Sequence, residues 1–434
     1  MSGATGSDHP IVADARSSLF LSLPEHVTEV DDPGEVGVAY PRGFLASGVA
    51  ALIKESGRLD VGVVAIETQY RAFSSGAAVF TRNSFAAAPV IVSRKEATVS
   101  RLAAVVLNSG NANACTGAGG LAVARAMQST CASALDLAGE RVGIASTGII
   151  GVPLDEEKVT AGVQAAVAGL SRAGGADFAQ AIMTTDRFRK AVALEVETST
   201  GTVRVGACAK GAGMIAPGMA TMLCVVTTDA HLPSTVASSL LSREVGHTFN
   251  RITVDGEMST NDCVFFLASG GAGVELSAEG VGRLGAALRY ALLRLALMMV
   301  ADGEGATKVM RLRVAGAPDD EDANLAARAI ADSTLVKTAM YGCDPNWGRI
   351  LSAAGAVLPA RSFPSVELRV GGVKLVERAT AVPLDRGEQA RLREAMHGSE
   401  VDIVLDLKSG VGTGEVYFSD LGHEYVTINA EYHT

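Results

Sequence analysis

Residues 210–230 read Lys210-Gly-Ala-Gly-Met-Ile-Ala-Pro-Gly-Met-Ala-Thr-Met-Leu-Cys-Val-Val-Thr-Thr-Asp-Ala230. The run 222–228 is continuously apolar or β-branched, the pattern of a strand buried on both faces. A loop with Gly211, Gly213, Pro217 and Gly218 leads into it, and Ala220 and Thr221 stand at the boundary. Small neighbours leave the Thr221 hydroxyl and the preceding carbonyl unhindered. That is the local requirement for an N-to-O acyl shift, in which Thr221 attacks the Ala220 carbonyl and the chain is cut between 220 and 221. The freed threonine would carry a hydroxyl nucleophile and an α-amine of pKa about 7.7–8.0 to serve as its base. The residues alone leave two readings open, this nucleophile or a threonine that merely begins a strand.

Working outward, strands are predicted at 60–66, 76–81, 88–92, 103–107 and 141–146, with helices at 121–137, 155–170 and 178–183. Segments 190–197 and 202–209 flank the 198–201 turn as a hairpin. Helices follow at 234–249 and 284–300; the second is apolar on nearly every side, broken only by Arg289 and Arg294, and reads as a core helix. The last third alternates as strand 309–314, helix 320–330, a 366–375 hairpin turning at Gly371-Gly372, helix 385–397, and strands 401–407, 415–419 and 425–429. This is an α/β (α+β) chain. Its expected parts are a flexible acidic extension at 1–37, a layered core at 38–308 and a smaller α/β unit at 309–434.

The 434 residues carry 37 basic and 47 acidic side chains, a net charge of −10. That balance argues against a duplex nucleic-acid binder, which needs a basic face. Six cysteines and seven histidines are scattered without metal-ligand or CxxC spacing, so no metal site is expected. The uncharged stretches 102–124 and 211–228 are interrupted by Asn, Gly and Pro, costly in hydrocarbon. With no basic n-region at the start, the expectation is a soluble, cytoplasmic protein. Gly117, Gly119 and Gly120 precede a helix, but Ala122 stands where a dinucleotide fingerprint needs Gly, and no Walker loop is present.

The stretch around Thr221 resembles the self-cleavage region of the ornithine acetyltransferase family, the bifunctional glutamate N-acetyltransferases of the cyclic arginine pathway. Tyr40-Pro-Arg-Gly-Phe44 with 46–57 resembles that family's opening strand and helix. In family order follow Asn108-Ser-Gly-Asn-Ala-Asn-Ala-Cys-Thr-Gly117, Ser146-Thr-Gly-Ile-Ile-Gly151, Met183-Thr-Thr-Asp186, Phe249-Asn-Arg-Ile-Thr-Val-Asp255 and Ser259-Thr-Asn-Asp262. Asp302-Gly-Glu-Gly-Ala306, Asp344-Pro-Asn-Trp-Gly-Arg349 and Ile428-Asn-Ala-Glu-Tyr-His-Thr434 complete the series.

The resemblance implies two stacked sheets covered by helices on both sides, and a C-terminal tail that returns to the site. It makes Thr221 the nucleophile of cleavage and of acyl transfer, dividing the chain into 1–220 and 221–434. Thr147 and Gly148 would form the oxyanion hole, and Lys210 would hold a substrate carboxylate. Glu304 would meet the amino group of an amino-acid substrate; at least one of the pair Thr184 and Thr185 would contact substrate, and Asn429 and Thr434 as well. Asn108, Asn111 and Asp255 sit in matching motifs as candidates for backbone support. The activity implied is ping-pong transfer of acetyl from N2-acetyl-ornithine to L-glutamate without metal or organic cofactor, with acetyl-CoA open as a second donor. Cleaved chains would associate as a homo-oligomer of heterodimers. After Asp186 the family commonly continues Thr-x-Pro-Lys; here Arg187-Phe-Arg-Lys190 stands, so Arg187 or Arg189 either recognises an extra carboxylate or faces water. That departure and the acidic extension leave room for a secondary-metabolism paralogue. A self-cleaving aminopeptidase or amidase with water as acceptor, and a non-enzymatic amino-acid-binding protein, are the competing readings.

Overall fold

The computed structural model describes residues 18–216, 222–358 and 362–431; Ala220, Thr221 and Thr434 lie outside the described residues. Contacts divide the chain into two units, one drawn from Ser22–Asn250 and Glu257–Ala296, the other from 18–21, Arg251–Gly256 and 297–431.

In the first unit, β1 (Val27–Glu29) and the short α1 (Pro33–Val36) precede β2 (Phe44–Val49), β3 (Val61–Ile66) and β4 (Ser75–Phe80). Next come α2 (Ala88–Glu96), β5 (Ala104–Asn111), α3 (Gly117–Leu135), β6 (Val142–Ile149), α4 (Glu156–Ala168) and α5 (Gly175–Ala181). The hairpin of β7 (Lys190–Thr198) and β8 (Gly201–Lys210) leads towards β9 (Leu223–Thr228) and α6 (Ser234–His247). β10 (Ile252–Thr253) belongs to the second unit, and β11 (Cys263–Ala268) and α7 (Ala278–Ala301) follow it.

The strands form a four-stranded sheet in the order β2-β3-β5-β6 and a six-stranded sheet in the order β1-β7-β8-β9-β11-β4. Side-chain alternation sorts their faces. Val64, Ile66, Val105 and Leu107 of the smaller sheet meet Leu223, Val225, Phe265 and Leu267 of the larger one, closing an apolar core between the sheets. Their neighbours Val61, Val63, Ala104 and Val106 turn the other way, against Met127 and Cys131 of α3 and Val159 and Val163 of α4. On β9 and β11 the opposite face, Cys224, Val226, Val264 and Phe266, is equally buried. There α6 lies against β4 and β11. α7 is tied to β1 by Arg294 Nη1 and Glu29 Oε2 at 3.1 Å, and to α6 by Arg289 Nε and Glu244 Oε2 at 2.7 Å. The unit is thus helix, sheet, sheet, helix. α7 is long and apolar enough to cross a membrane, yet 83% of its apolar window is buried within the protein.

The second unit holds β12 (Val309–Ala317), α8 (Asp320–Asp332), α9 (Thr334–Tyr341), α10 (Trp347–Val357), β13 (Glu367–Val370), β14 (Val373–Glu377) and β15 (Thr380–Ala381). It closes with α11 (Arg386–His397), β16 (Glu400–Asp406), β17 (Gly412–Ser419) and α12 (His423–Glu431). Its sheet runs β10-β17-β12-β16-β13-β14-β15. One face packs Met310, Leu312, Ile403, Leu405 and Phe418 against Ala326, Ile330, Ile350 and Leu392 of the helices. The other carries charges: Asp402 bridges Arg311 and Arg313, both at 2.7 Å.

Several expectations are corrected. Residues 88–92 open α2 instead of forming a strand, with Pro89 in the first turn, where a missing N–H costs nothing. The stretch 46–57 contains β2 and a loop, not a helix. From Val27 the supposed loose extension is an edge strand, paired antiparallel with β7. Residues 425–429 lie in α12, not in a strand; a short apolar run does not distinguish the two. The second unit begins at Leu297 instead of 309 and takes in Arg251–Gly256, because β10 pairs in parallel with β17.

Candidate active site

β5 and β6 run parallel, and their register shifts where they end, at Gly110 and Asn111. The bulge is held from within. Asn108 Oδ1 accepts from Ser146 Oγ at 2.5 Å, and Asn108 Nδ2 donates to the Asn111 carbonyl at 2.9 Å. Asn261 Nδ2 donates to the carbonyls of Ala112 and Ser146 at 2.6 and 2.8 Å. Asn108 and Asn111 are therefore backbone supports. Gly148 has φ +132°, and a Cβ there would sit 2.3 Å from the Gly110 carbonyl carbon, so only glycine fits.

Next to it, the buried Thr147 Oγ1 accepts from Lys210 Nζ at 3.1 Å, which leaves its own proton for another acceptor. Lys210 ends β8, is 4% exposed, and also donates to Thr184 Oγ1 at 2.6 Å. Asp186 organises this loop. Its Oδ2 accepts from Thr184 N at 2.9 Å, and its Oδ1 from Lys190 Nζ and Gly211 N, both at 2.7 Å. Burial would raise the Asp186 carboxyl, but the Lys190 and Lys210 charges and these donors outweigh it and hold it well below the usual carboxylate range.

Asp262 presents the opposite case. It accepts from Met222 N at 2.9 Å, anchoring the residue after Thr221, and Cys263 N donates to the Met222 carbonyl at 3.1 Å. Complete burial pushes its carboxyl well up, against the pull of that N–H, Ser259 and Lys210.

The structure thus brings Thr147, Gly148, Thr184 and Lys210 together. Thr185, half-buried, makes none of these hydrogen bonds. The departure after Asp186 divides: Lys190 is the buried partner of Asp186, Arg189 pairs with Glu35 at 3.2 Å near the surface, and Arg187 is exposed. Glu304 and Asn429 belong to the second unit, where Asn429 Nδ2 donates to Glu304 Oε2 at 2.8 Å. In the Asp344–Arg349 motif, Asn346 caps α10 by accepting from Arg349 N, a structural duty. Thr221, Ala220 and Thr434 are outside the described residues. Among the described residues, no three His, Cys, Asp or Glu side chains gather as metal ligands. In the sequence, Asp186, Lys190 and Asp262 stand in motifs that do not show these roles; the i,i+4 spacing of Asp186 and Lys190 is the signal for the first two, and no motif points to Lys54.

These features define a layered α/β protein whose strand ends gather a buried ammonium, threonine hydroxyls and a glycine bulge, a setting suited to a carboxylate or a developing oxyanion. The ArgJ family profile matches residues 45–434. The chain is 44% identical over 402 residues to the arginine biosynthesis bifunctional protein ArgJ of Nitratidesulfovibrio vulgaris, covering 91% of this chain and 99% of that one. It is also 44% identical over 404 residues to the Symbiobacterium thermophilum protein of the same name, covering 92% and 98%. Ornithine acetyltransferase of Mycobacterium tuberculosis, solved with ornithine, is 40% identical, covers 44% of this chain and 98% of its own, and has a TM-score of 0.39. The chain belongs to the ArgJ family, as its motifs implied.

Proposed function

We propose that the protein is a self-processing acetyltransferase of arginine biosynthesis that moves acetyl from N2-acetyl-L-ornithine to L-glutamate. Family membership over almost the whole chain supports the reaction. The observation that carries the site is the burial of Lys210 against the Thr147 and Thr184 hydroxyls, beside a turn only glycine can form.

In this mechanism Thr221 Oγ first attacks the Ala220 carbonyl and the C–N bond breaks, which frees the Thr221 amine; water then hydrolyses the resulting ester, restoring the Thr221 hydroxyl and leaving a carboxylate on Ala220. That amine then takes the hydroxyl proton as Oγ attacks the acetyl carbonyl of the donor. The Thr147 hydroxyl and Gly148 N–H face the developing oxyanion, Lys210 holds the substrate carboxylate, and ornithine leaves with the proton. The glutamate amine attacks the acyl-threonine, and Oγ recovers its proton. Thr184, Thr185, Glu304, Asn429 and Thr434 complete the substrate contacts, Glu304 being suited to an amino group. No metal or organic cofactor enters these steps; acetyl-CoA is the second donor to assay. The two fragments stay associated, as a homo-oligomer of heterodimers in the cytoplasm.

The test is transfer of labelled acetyl from acetyl-ornithine. Label in N-acetyl-glutamate supports the proposal; label only in free acetate makes the protein a hydrolase, and intact donor makes it neither.

A further inference from the structure

Lys54 lies in the loop between β2 and β3, and that loop is fixed. The buried Asp60 carboxylate accepts from the N–H groups of Ala51, Ile53 and Lys54 at 2.6, 2.7 and 2.9 Å. Asp60 N donates to the Val49 carbonyl and Ser109 N to the Asp60 carbonyl, both at 2.8 Å, tying the loop to β2 and β5. The Lys54 stem lies over Gly110, where an added Cβ would meet its Cγ at 2.9 Å. Gly110 is the residue against which the Gly148 turn packs. From there the ammonium reaches the carbonyls of Leu59 and Met183, both at 2.8 Å.

Met183 immediately precedes Thr184, whose hydroxyl Lys210 holds. Two ammonium groups therefore flank one short segment of the site, one on the Thr184 side chain and one on the carbonyl just before it. Lys54 differs from Lys190, which Asp186 closes at 2.7 Å. Among the described residues Lys54 has no carboxylate at ion-pair distance, and its third N–H has no partner. Burial, with the neighbouring Arg58 and Lys210 charges, lowers its pKa to about 8 although Asp60 and Asp186 oppose this. A half-buried cation with a spare donor gains from an incoming anion.

We infer that Lys54 binds the second carboxylate of a dicarboxylic acyl acceptor and so sets acceptor specificity. The inference rests on the transfer reaction proposed above. A substrate with one carboxylate is served by one fixed cation, which Lys210 supplies. Glutamate brings two carboxylates, whereas the side chain of the ornithine donor is itself cationic and gains nothing from a second lysine.

The test compares glutamate with glutamine as acceptor, in wild-type protein and in Lys54→Met, Lys54→Gln and Lys54→Arg. The neutral variants are expected to lower the glutamate-to-glutamine ratio of kcat/KM by about tenfold or more, to leave the single-turnover rate of ornithine release unchanged, and to keep chain cleavage by intact mass. Arginine, which keeps the charge, should retain most of the ratio. A purely structural tether would instead impair both half-reactions together, and that result, or an unchanged ratio, overturns the inference. If the neutral variants fail to fold, reductive methylation of wild-type Lys54 decides: protection by glutamate but not by glutamine supports the inference, and equal labelling overturns it. Wild-type protein that transfers no acetyl to glutamate overturns the underlying proposal and this inference with it; active wild type with an unchanged ratio overturns the inference alone.

Discussion

The loop before β7 and the open face of the second unit's sheet hold their charges in opposite ways. Asp186 and Lys190 meet at 2.7 Å with side chains 1% and 0% exposed. Asp402 meets Arg311 and Arg313 at the same 2.7 Å, but all three side chains are 22–45% exposed. Distance therefore fails to rank these contacts. The medium around them does, because water screens the second set and leaves the first to its protein partners.

The strongest test of that contrast is Asp186→Ala against Asp402→Ala in urea unfolding. The first strands Lys190 in the interior and should cost about 3–5 kcal/mol; the second should stay within about 1 kcal/mol. Equal losses would erase the distinction. Glycines offer the next comparison. Gly148→Ala drives a Cβ into the Gly110 backbone and displaces a proposed oxyanion donor, so kcat should fall about 10²–10³-fold. Gly372 also has positive φ, +78°, but nothing lies within 4 Å of a Cβ there; Gly372→Ala should cost about 1–2 kcal/mol of stability and no activity.

Smaller effects separate the two groups of proposed binding residues. Lys210→Met removes buried charged hydrogen bonds worth about 1.5–3 kcal/mol, a fall in kcat/KM of roughly 10–150-fold. Asn429→Ala removes an exposed bond to Glu304 and should cost less than about tenfold. A larger loss there would mean that the proposed Asn429 contact with substrate outweighs its bond to Glu304. The smallest effect is in the acid limb. The Asp186 carboxyl lies below its unfolded value of about 3.9, so its stabilisation is complete above that pH and disappears as pH falls towards the folded value. Asp186→Asn should flatten the stability curve below about pH 4, as read by urea unfolding across the acid range.

Those same differences in burial explain what was legible in the sequence. β9 and β11 are buried along their whole length, and their unbroken apolar runs announce a layered interior. β16 alternates buried and half-buried residues and was equally plain. The β7–β8 hairpin declared itself through its 198–201 turn. Residues 88–92 and 425–429 are short apolar runs compatible with either helix or strand, and both are helical.

At the site, motifs named Thr147, Gly148, Thr184 and Lys210, and the structure places these four together. The organising roles of Asp186 and Asp262 were not visible, since both depend on partners brought in by pairing: Lys190 and Gly211 for one, Met222 for the other. Lys54 was invisible for the same reason, as its partner Met183 lies 129 residues further on. Spacing along a chain reports neighbours on one element; it does not report which loop a distant lysine reaches.

The central claim is that the polypeptide is severed before Thr221 and that the new terminus performs the transfer. Intact mass and N-terminal sequencing of active, freshly purified protein test it most directly. Two chains, one of them beginning Thr221-Met-Leu-Cys, are predicted. A preparation that transfers acetyl at full rate as a single uncut chain with only its original N-terminus would contradict the account.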